Sequence, residues 1–351
     1  MSARPLGSAR AWTQRGLVAL AAVAAVATTG PSVASATTTH SRPEAAAGWL
    51  ARQLAGSGHD HIVAFGSAQA GATADAVLSM DAAGVAQDAA RRATHWLATH
   101  AKSYATSGSG YDPGRLAKLL LVAEAQRANV HGFGGIDLVR ELRGAEQPSG
   151  AFTNTADAGS GDNPVSQALA LIALSHTGSL RSWPDAAAIG WLVGQQCGDG
   201  GFMFSTQTTP ANTCTDVDST GIAAQALLTV HSSAAADAVH WVRAHRNSDG
   251  GYGLAFGSNE QQSNTNSTAV AVQTLLQAGS TGGYGLSWLR RHQIGCSGLA
   301  SRRGALKYDD TKFEINSATF ATAQAGQALA KRWLGDISRR GAVAEAPRLA
   351  C

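Results

Sequence analysis

The sequence predicts an all-α protein, an α/α barrel (toroid) of about six outer/inner helix pairs. Three observations predict this fold. A segment centred on tryptophan or leucine recurs six times, at steps of 42 to 53 residues. A glycine-rich turn follows most of these segments, and an alanine-rich helical segment follows each turn. Repeats of about 20–50 residues are typical of stacked architectures, in which each unit buries its apolar face against its neighbours.

The N-terminal segment 1–36 is predicted to be a secretory signal peptide. Three arginines precede an apolar run at 17–26, and small residues at 34–36 supply a cleavage point. We therefore expect the mature protein to be secreted and extracellular. These arginines belong to the 27 basic residues of the chain, and the remaining basic residues equal the 24 acidic ones. Without an excess of Lys and Arg we expect no binding to nucleic acid. No later apolar run reaches the roughly 18 residues of a membrane span.

The first helix of each predicted pair carries an aromatic or leucine anchor together with charged residues. The sequence WLRRH at 288–292 is one example. A helix with one apolar and one charged face is predicted to lie on the outside of the barrel. The six anchors are Trp49-Leu50, Trp96-Leu97, Leu138-Val139, Trp191-Leu192, Trp241-Val242 and Trp288-Leu289.

The second helix of each pair is rich in alanine and apolar on most faces, which predicts burial on both sides. Small residues allow such helices to approach one another closely. The barrel is predicted to occupy residues 37–335, with residues 336–351 as a C-terminal tail. An open superhelical solenoid is the alternative, because repeats alone do not show that a ring closes. The predicted inner helices lie at 113–123, 164–174, 219–230, 267–278 and 318–330.

The chain contains four cysteines, an even number that suits disulfide bonding in an oxidising compartment. Cys197 and Cys214 flank one glycine-rich loop, and we expect them to pair. Cys296 is then left to pair with Cys351, unless Cys351 forms an intermolecular bond. No Cys-x-x-Cys spacing or neighbouring histidine supports metal ligation. We therefore expect no metal and no cofactor.

One repeat carries a family resemblance. The stretch WLVGQQCGDGGF at 191–202 resembles the Gln-x-x-x-Gly-x-Trp repeat of the prenyltransferase and squalene cyclase superfamily. Gln196 and Gly200 match that repeat, and Phe202 stands in place of its tryptophan. The resemblance runs through residues 45–335 and implies the same α/α toroid that the periodicity predicts. Fold and function need not agree, so the resemblance leaves the activity open.

The sequence DVDS at 216–219 resembles the Asp-x-Asp-Asp motif of squalene–hopene cyclases and class II diterpene cyclases. Asp216 and Asp218 match the motif, and Ser219 replaces its third acid. The resemblance implies that Asp218 is a general acid and that Asp216 orients it, in a terpene cyclase-like enzyme. Such an acid has to be kept protonated by burial and a neighbouring like charge. The missing third acid, a length sufficient for one barrel and an aromatic content of 6% argue against cyclisation.

Two other interpretations of these aspartates stay open. Asp and Asn are favoured helix caps, because their side chains accept the free backbone N–H groups of the first turn. The same residues also fit a ligand-binding rim, since alternating outer and inner helices would place every inner-helix N-terminus at one mouth. The predicted rim consists of Asp216, Asp218, Asn264, Asn266, Glu314 and Asn316.

A secreted toroid without a complete catalytic motif is also similar in style to the helical domain of extracellular cobalamin carriers. Our first hypothesis is therefore a small-molecule-binding protein, with a corrinoid-like compound as one candidate ligand. Those carriers close over the ligand with a second domain, so the similarity implies a separate lid or transport partner protein, or a smaller ligand. The alternatives are the terpene cyclase/prenyltransferase-like enzyme and an extracellular protein- or carbohydrate-binding scaffold that uses the polar loops 204–213 and 257–267.

Overall fold

The computed structural model describes residues 37–56, 58, 60–157, 161–177, 186–253, 262–281 and 283–351. The predicted signal peptide and part of the loop 257–267 lie outside these residues. Residues 36–351 form one compact unit. Its described part contains thirteen α-helices and six two-residue strands. No helix within the described ranges is long and apolar enough to cross a bilayer.

The helices form two concentric layers. The inner layer consists of α2 (Ala70–Ala83), α5 (Pro113–Ala125), α7 (Pro164–His176), α9 (Val217–Thr229), α11 (Thr265–Gln277) and α13 (Ile315–Leu329). The outer layer consists of α1 (Arg42–Gly56), α3 (Gln87–Thr99), α6 (Leu138–Gly144), α8 (Ala186–Val193), α10 (Ala235–Ala244) and α12 (Gly283–His292), with the short α4 (Ala101–Ala105) after α3.

The inner layer is a closed ring. Each inner helix packs against the next in the order α2, α5, α7, α9, α11, α13, and α13 packs against α2. Closure confirms the predicted all-α barrel of six helix pairs and excludes the open solenoid. The pattern of alanine-rich helices had located five inner helices. The sixth, α2, reads AGATADAVLSMDAA, and its two aspartates interrupt the apolar pattern.

Two of the glycine-rich turns attach their repeat to the outer helix of the next repeat. The indole N–H of Trp241 donates to Asp199 Oδ2 at 3.0 Å, and that of Trp288 donates to Asp249 Oδ2 at 2.9 Å. The turn needs glycine because Gly200 has φ +92° and a Cβ there would lie 2.8 Å from a backbone oxygen of α10. The repeated Gly and Trp therefore belong to the fold rather than to a functional site.

Three short strand pairs complete the fold. Two are antiparallel hairpins that precede inner helices: β2 (Val63–Ala64) with β3 (Ser67–Ala68) before α2, and β4 (Thr106–Ser107) with β5 (Gly110–Tyr111) before α5. The third is parallel and joins β1 (Thr38–Thr39) to β6 (Arg348–Leu349).

The C-terminal segment crosses the ends of the inner helices opposite the mouth. The backbone N–H of Leu334 donates to the Gln225 side chain at 3.2 Å, and that of Arg339 donates to the last carbonyl of α5 at 3.0 Å. The chain then pairs with β1 and ends in a disulfide between Cys296 and Cys351. A second disulfide joins Cys197 to Cys214. Residues 336–351 are therefore packed against the barrel.

Candidate functional site

Side-chain caps begin five of the six inner helices. Asp216 is the cap of α9: its Oδ1 accepts from the N–H groups of Asp218 and Ser219, and its Oδ2 accepts from the Ser219 hydroxyl at 2.6 Å. Ser219, which stands in place of the third acid of the motif, therefore donates a hydrogen bond to the capping carboxylate. The capping residues are Asp112, Asn163, Asp216, Asn264 and Glu314.

Each inner helix has one face that lines the interior of the barrel. The first residue of that face lies two positions after the cap. Residues spaced by four and then three positions share one helix face, and the opposite face of each inner helix packs on the outer layer. On α9, α11 and α13 this second position holds Asp218, Asn266 and Asn316, which we call the polar arc. On the other three inner helices the corresponding residues are Gly71, Gly114 and Val165.

From the burial of the residues along this face we infer a cup that opens at the mouth. The polar arc is half-buried, and so are Ile222, Val270 and Phe320 in the layer four residues further along. The third layer, three residues further along, forms the floor of the cup. Its residues Gln225 and Gln273 are 1% and 4% exposed, and the aliphatic side chains around them are equally buried. The cup is therefore two layers deep, polar at one side of its rim and apolar directly below that side.

Asp218 is the acid of the polar arc. Its Oδ1 is buried and accepts no hydrogen bond from the described residues. Burial raises the pKa of Asp218 to about 6; a hydrogen bond with Ser267 lowers it in part, and the nearby Asp216 charge adds to the rise. The Asp218 charge in turn contributes, after burial, to a raised pKa of Tyr308 at the rim. Of the two aspartates, Asp216 caps the helix and Asp218 faces the cup.

The asparagines of the arc differ in their partners. Asn266 Oδ1 is buried and, like Asp218 Oδ1, has no partner in the described part of the chain. Asn316 donates to Glu314 Oε1 at 2.8 Å and accepts from the Phe65 N–H at 3.1 Å. Asn316 thus fixes the hairpin β2–β3 at the mouth. Of the six predicted rim residues, Asp218 and Asn266 are the two with a buried oxygen left for a ligand.

An ion pair that the sequence did not predict lies on the opposite wall. Lys118 Nζ is 2.5 Å from Asp75 Oδ1, and the two side chains are 19% and 10% exposed. Both residues lie in the second layer, on α5 and α2. Burial is the largest effect and lowers the pKa of Lys118, but the Asp75 carboxylate and the nearby Tyr104 together outweigh it, so the pKa is raised. The signal in the sequence was weak: each residue is a charge within a mostly apolar helix, as Asp81, Arg115 and Glu124 also are.

A cysteine–aspartate cluster and the loop 204–213 are two further candidates for a binding site, and both contain groups that are already bonded to neighbouring residues. Cys197, Asp199 and Cys214 are close enough to hold a metal, but the thiols form a disulfide and the carboxylate accepts from two backbone N–H groups and an indole. In the loop 204–213, the Thr206 hydroxyl and the Gln207 backbone are tied to neighbouring segments. The scaffold hypothesis stays a prediction, since part of its second loop is not among the described residues.

The Asp218 carboxyl gives a prediction on stability. Since its folded pKa of about 6 exceeds its ordinary value of 3.8, the folded state binds the proton more tightly, and this stabilisation is lost as pH rises from about 4 through 6. Asp218→Asn is therefore expected to raise the free energy of unfolding at pH 8 by up to about 3 kcal/mol, and by less at pH 4.5. Urea unfolding at both pH values measures this. The exposed Asp60→Asn is the control, and an equal effect of Asp218→Asn at both pH values would contradict the assignment.

No protein-family model and no curated protein sequence matches the chain. Solved structures do match. The chain aligns with ent-copalyl diphosphate synthase from Streptomyces platensis over 76% of its length at 20% identity, with a TM-score of 0.48, and spans half of that protein. The type II terpene cyclase MstE from Scytonema matches over 83% of this chain and 97% of its own, at 16% identity and a TM-score of 0.57.

An unsaturated glucuronyl hydrolase from Bacillus sp. GL1 matches over 82% of this chain and 95% of its own, at 12% identity and a TM-score of 0.60. The fold is the α/α toroid. The toroid that the Gln-x-x-x-Gly-x-Trp resemblance implied is thereby confirmed. Identities of this size establish the toroid and leave its chemistry to be argued from the cup, since one fold hosts many functions.

Proposed function

We propose that this toroid binds a small molecule in the cup, with Asp218 and Asn266 as ligand contacts. One observation carries the proposal: two buried oxygen atoms on adjacent inner helices have no hydrogen-bond partner among the described residues. A buried polar atom without a partner costs about 1–3 kcal/mol. A ligand that donates hydrogen bonds to both oxygens would remove that cost. Glu314, Asn264 and Asp216 act as caps that hold the rim in place.

The lining of the cup indicates the character of the ligand. The free atoms of the polar arc are acceptors, so the ligand presents hydroxyl, amide or amine donors there. The layer below offers Ile222, Val270 and Phe320, which favour an apolar body. A corrinoid-like compound remains one candidate within this amphipathic class. Secretion is part of the proposal, and the two disulfides support it. A separate lid or transport partner protein is also proposed.

Native mass spectrometry of the protein purified from its own culture medium tests this function. We expect wild-type protein to carry an additional small-molecule mass, and Asp218→Ala/Asn266→Ala to lose it or to bind the extracted compound at least tenfold more weakly. Asp60→Ala is the matched control, because Asp60 is an exposed carboxylate paired with Arg92 on the outer surface. Equal retention of the compound by the double variant would contradict the assigned contacts.

Acid catalysis of the terpene cyclase type is the second candidate, and the buried Asp218 with a pKa of about 6 favours it. The structural neighbour MstE is a type II terpene cyclase, with geranylgeranyl dihydroxybenzoate as its substrate. In this chain Ser219 binds the Asp216 cap, so a third acid is missing from the arrangement. Incubation with geranylgeranyl diphosphate tests this candidate. Cyclised product from wild type and none from Asp218→Asn would place catalysis above binding, and unchanged substrate would favour binding.

A further inference from the structure

The wall of the cup opposite the polar arc carries the buried pair Asp75–Lys118. The ring order places α2 across from α9 and α5 across from α11. The pair lies one layer below the arc, four residues further along the helices, which corresponds to about 6 Å along the barrel axis. The cup therefore has acceptor oxygens at the rim on one side and an ammonium group deeper on the other.

The pair is poorly explained as a device for stability. Taking two charges out of water costs about as much as their attraction returns, and apolar residues of similar volume are often as good or better. Leu78 and Leu121 already pack the layer below it on the same two helices. An ammonium group has three N–H donors, and within the described residues Lys118 Nζ donates to one side chain, Asp75.

We propose that Lys118, held by Asp75, is a second ligand contact that donates to an oxygen acceptor on the ligand. This inference rests on the proposed function and specifies the ligand further: a donor group meets Asp218 and Asn266, and an acceptor group meets Lys118. Because the pair is neutral as a whole, an uncharged carbonyl oxygen satisfies Lys118 without adding a buried net charge. Asp75 is a positioning residue, since its carboxylate fixes the ammonium group.

Three neutral probes with the same ten-carbon chain separate the two contacts. Methyl 10-hydroxydecanoate has a hydroxyl donor and an ester carbonyl, 1-decanol has the hydroxyl alone, and methyl decanoate has the ester alone. Binding is measured by isothermal titration calorimetry. We expect the bifunctional probe to bind wild-type protein at least tenfold more tightly than 1-decanol.

The variant Asp75→Leu/Lys118→Leu removes both charges while keeping similar volume. It is expected to abolish the tenfold advantage of the bifunctional probe and to leave the affinity for 1-decanol within twofold of wild type. Asp60→Leu/Arg92→Leu, which removes an exposed pair from the outer surface, is the control and is expected to keep the advantage. Circular dichroism and thermal unfolding verify that both variants fold.

The outcomes separate this inference from the proposed function. If the bifunctional probe and 1-decanol bind wild type equally, or if the advantage survives in Asp75→Leu/Lys118→Leu, the Lys118 contact is overturned while the cup remains a binding site. If Asp218→Ala/Asn266→Ala binds all three probes as wild type does, or if no probe binds wild type, the proposed site fails and the inference fails with it.

Discussion

Lys118→Leu as a single change is expected to lower the free energy of unfolding by about 3–5 kcal/mol. The substitution leaves the Asp75 carboxylate in the barrel, 10% exposed, without its cation. A buried charge without a partner is among the most costly defects in a folded protein, because neither water nor a counter-ion compensates it. Urea unfolding monitored by circular dichroism at pH 7 measures the loss.

The double variant Asp75→Leu/Lys118→Leu is the matched comparison for Lys118→Leu. With both charges gone, its free energy of unfolding is expected to lie close to that of wild type or above it. Arg92→Leu on the outer surface, where Asp60 remains solvated, is expected to change stability by less than about 1 kcal/mol. If Lys118→Leu were as stable as wild type, the pair would not be buried as the structure has it.

Cys296→Ser/Cys351→Ser is expected to lower the free energy of unfolding by up to about 4 kcal/mol. The two cysteines are 55 residues apart in the sequence, so their bond removes much of the freedom of the unfolded chain. The bond also anchors the segment that pairs with β1 and crosses the barrel end. Urea unfolding under oxidising conditions gives the magnitude.

The bond between Cys197 and Cys214 joins residues that are only 17 positions apart. Its removal in Cys197→Ser/Cys214→Ser is expected to lower the free energy of unfolding by up to about 3 kcal/mol. Hydrogen exchange distinguishes the two variants. Removal of the terminal bond should speed exchange at the Arg348 and Ala350 amides, which donate to β1 and its flanking residue, whereas removal of the other bond should leave them protected. Unchanged protection after loss of the terminal bond would show that the strand pair holds the tail by itself.

Much of the fold could be predicted from the sequence because the repeat fixes it. Buried tryptophans, glycine turns and alanine-rich helices each have one structural role, and they recur at a nearly constant step. The helix α2 escaped the pattern because Asp75 and Asp81 interrupt its apolar face. Asp81 is stabilised in the interior by hydrogen bonds from Gln87 and Gln126, which lie on other elements and cannot be read from a local window.

The site was predictable in part. The mouth could be predicted from the sequence, because Asp, Asn and Glu residues that cap helices precede the inner helices. The division of roles between Asp216 and Asp218 depends on which carboxylate turns back to its own helix and which faces the cup, and both satisfy the same sequence pattern. Lys118 and Asp75 are 43 residues apart, and their contact requires the register of α2 against α5 in a closed ring.

A crystal structure of the protein with its co-purified compound tests the central claim most directly. We predict density for a small molecule inside the cup, within hydrogen-bonding distance of Asp218 Oδ1 and Asn266 Oδ1 and against Phe320. Density for the compound on the outer surface instead, such as the cleft of about 600 Å³ lined by Asp60, Asp88 and Arg91, would contradict the assignment of the cup as the binding site.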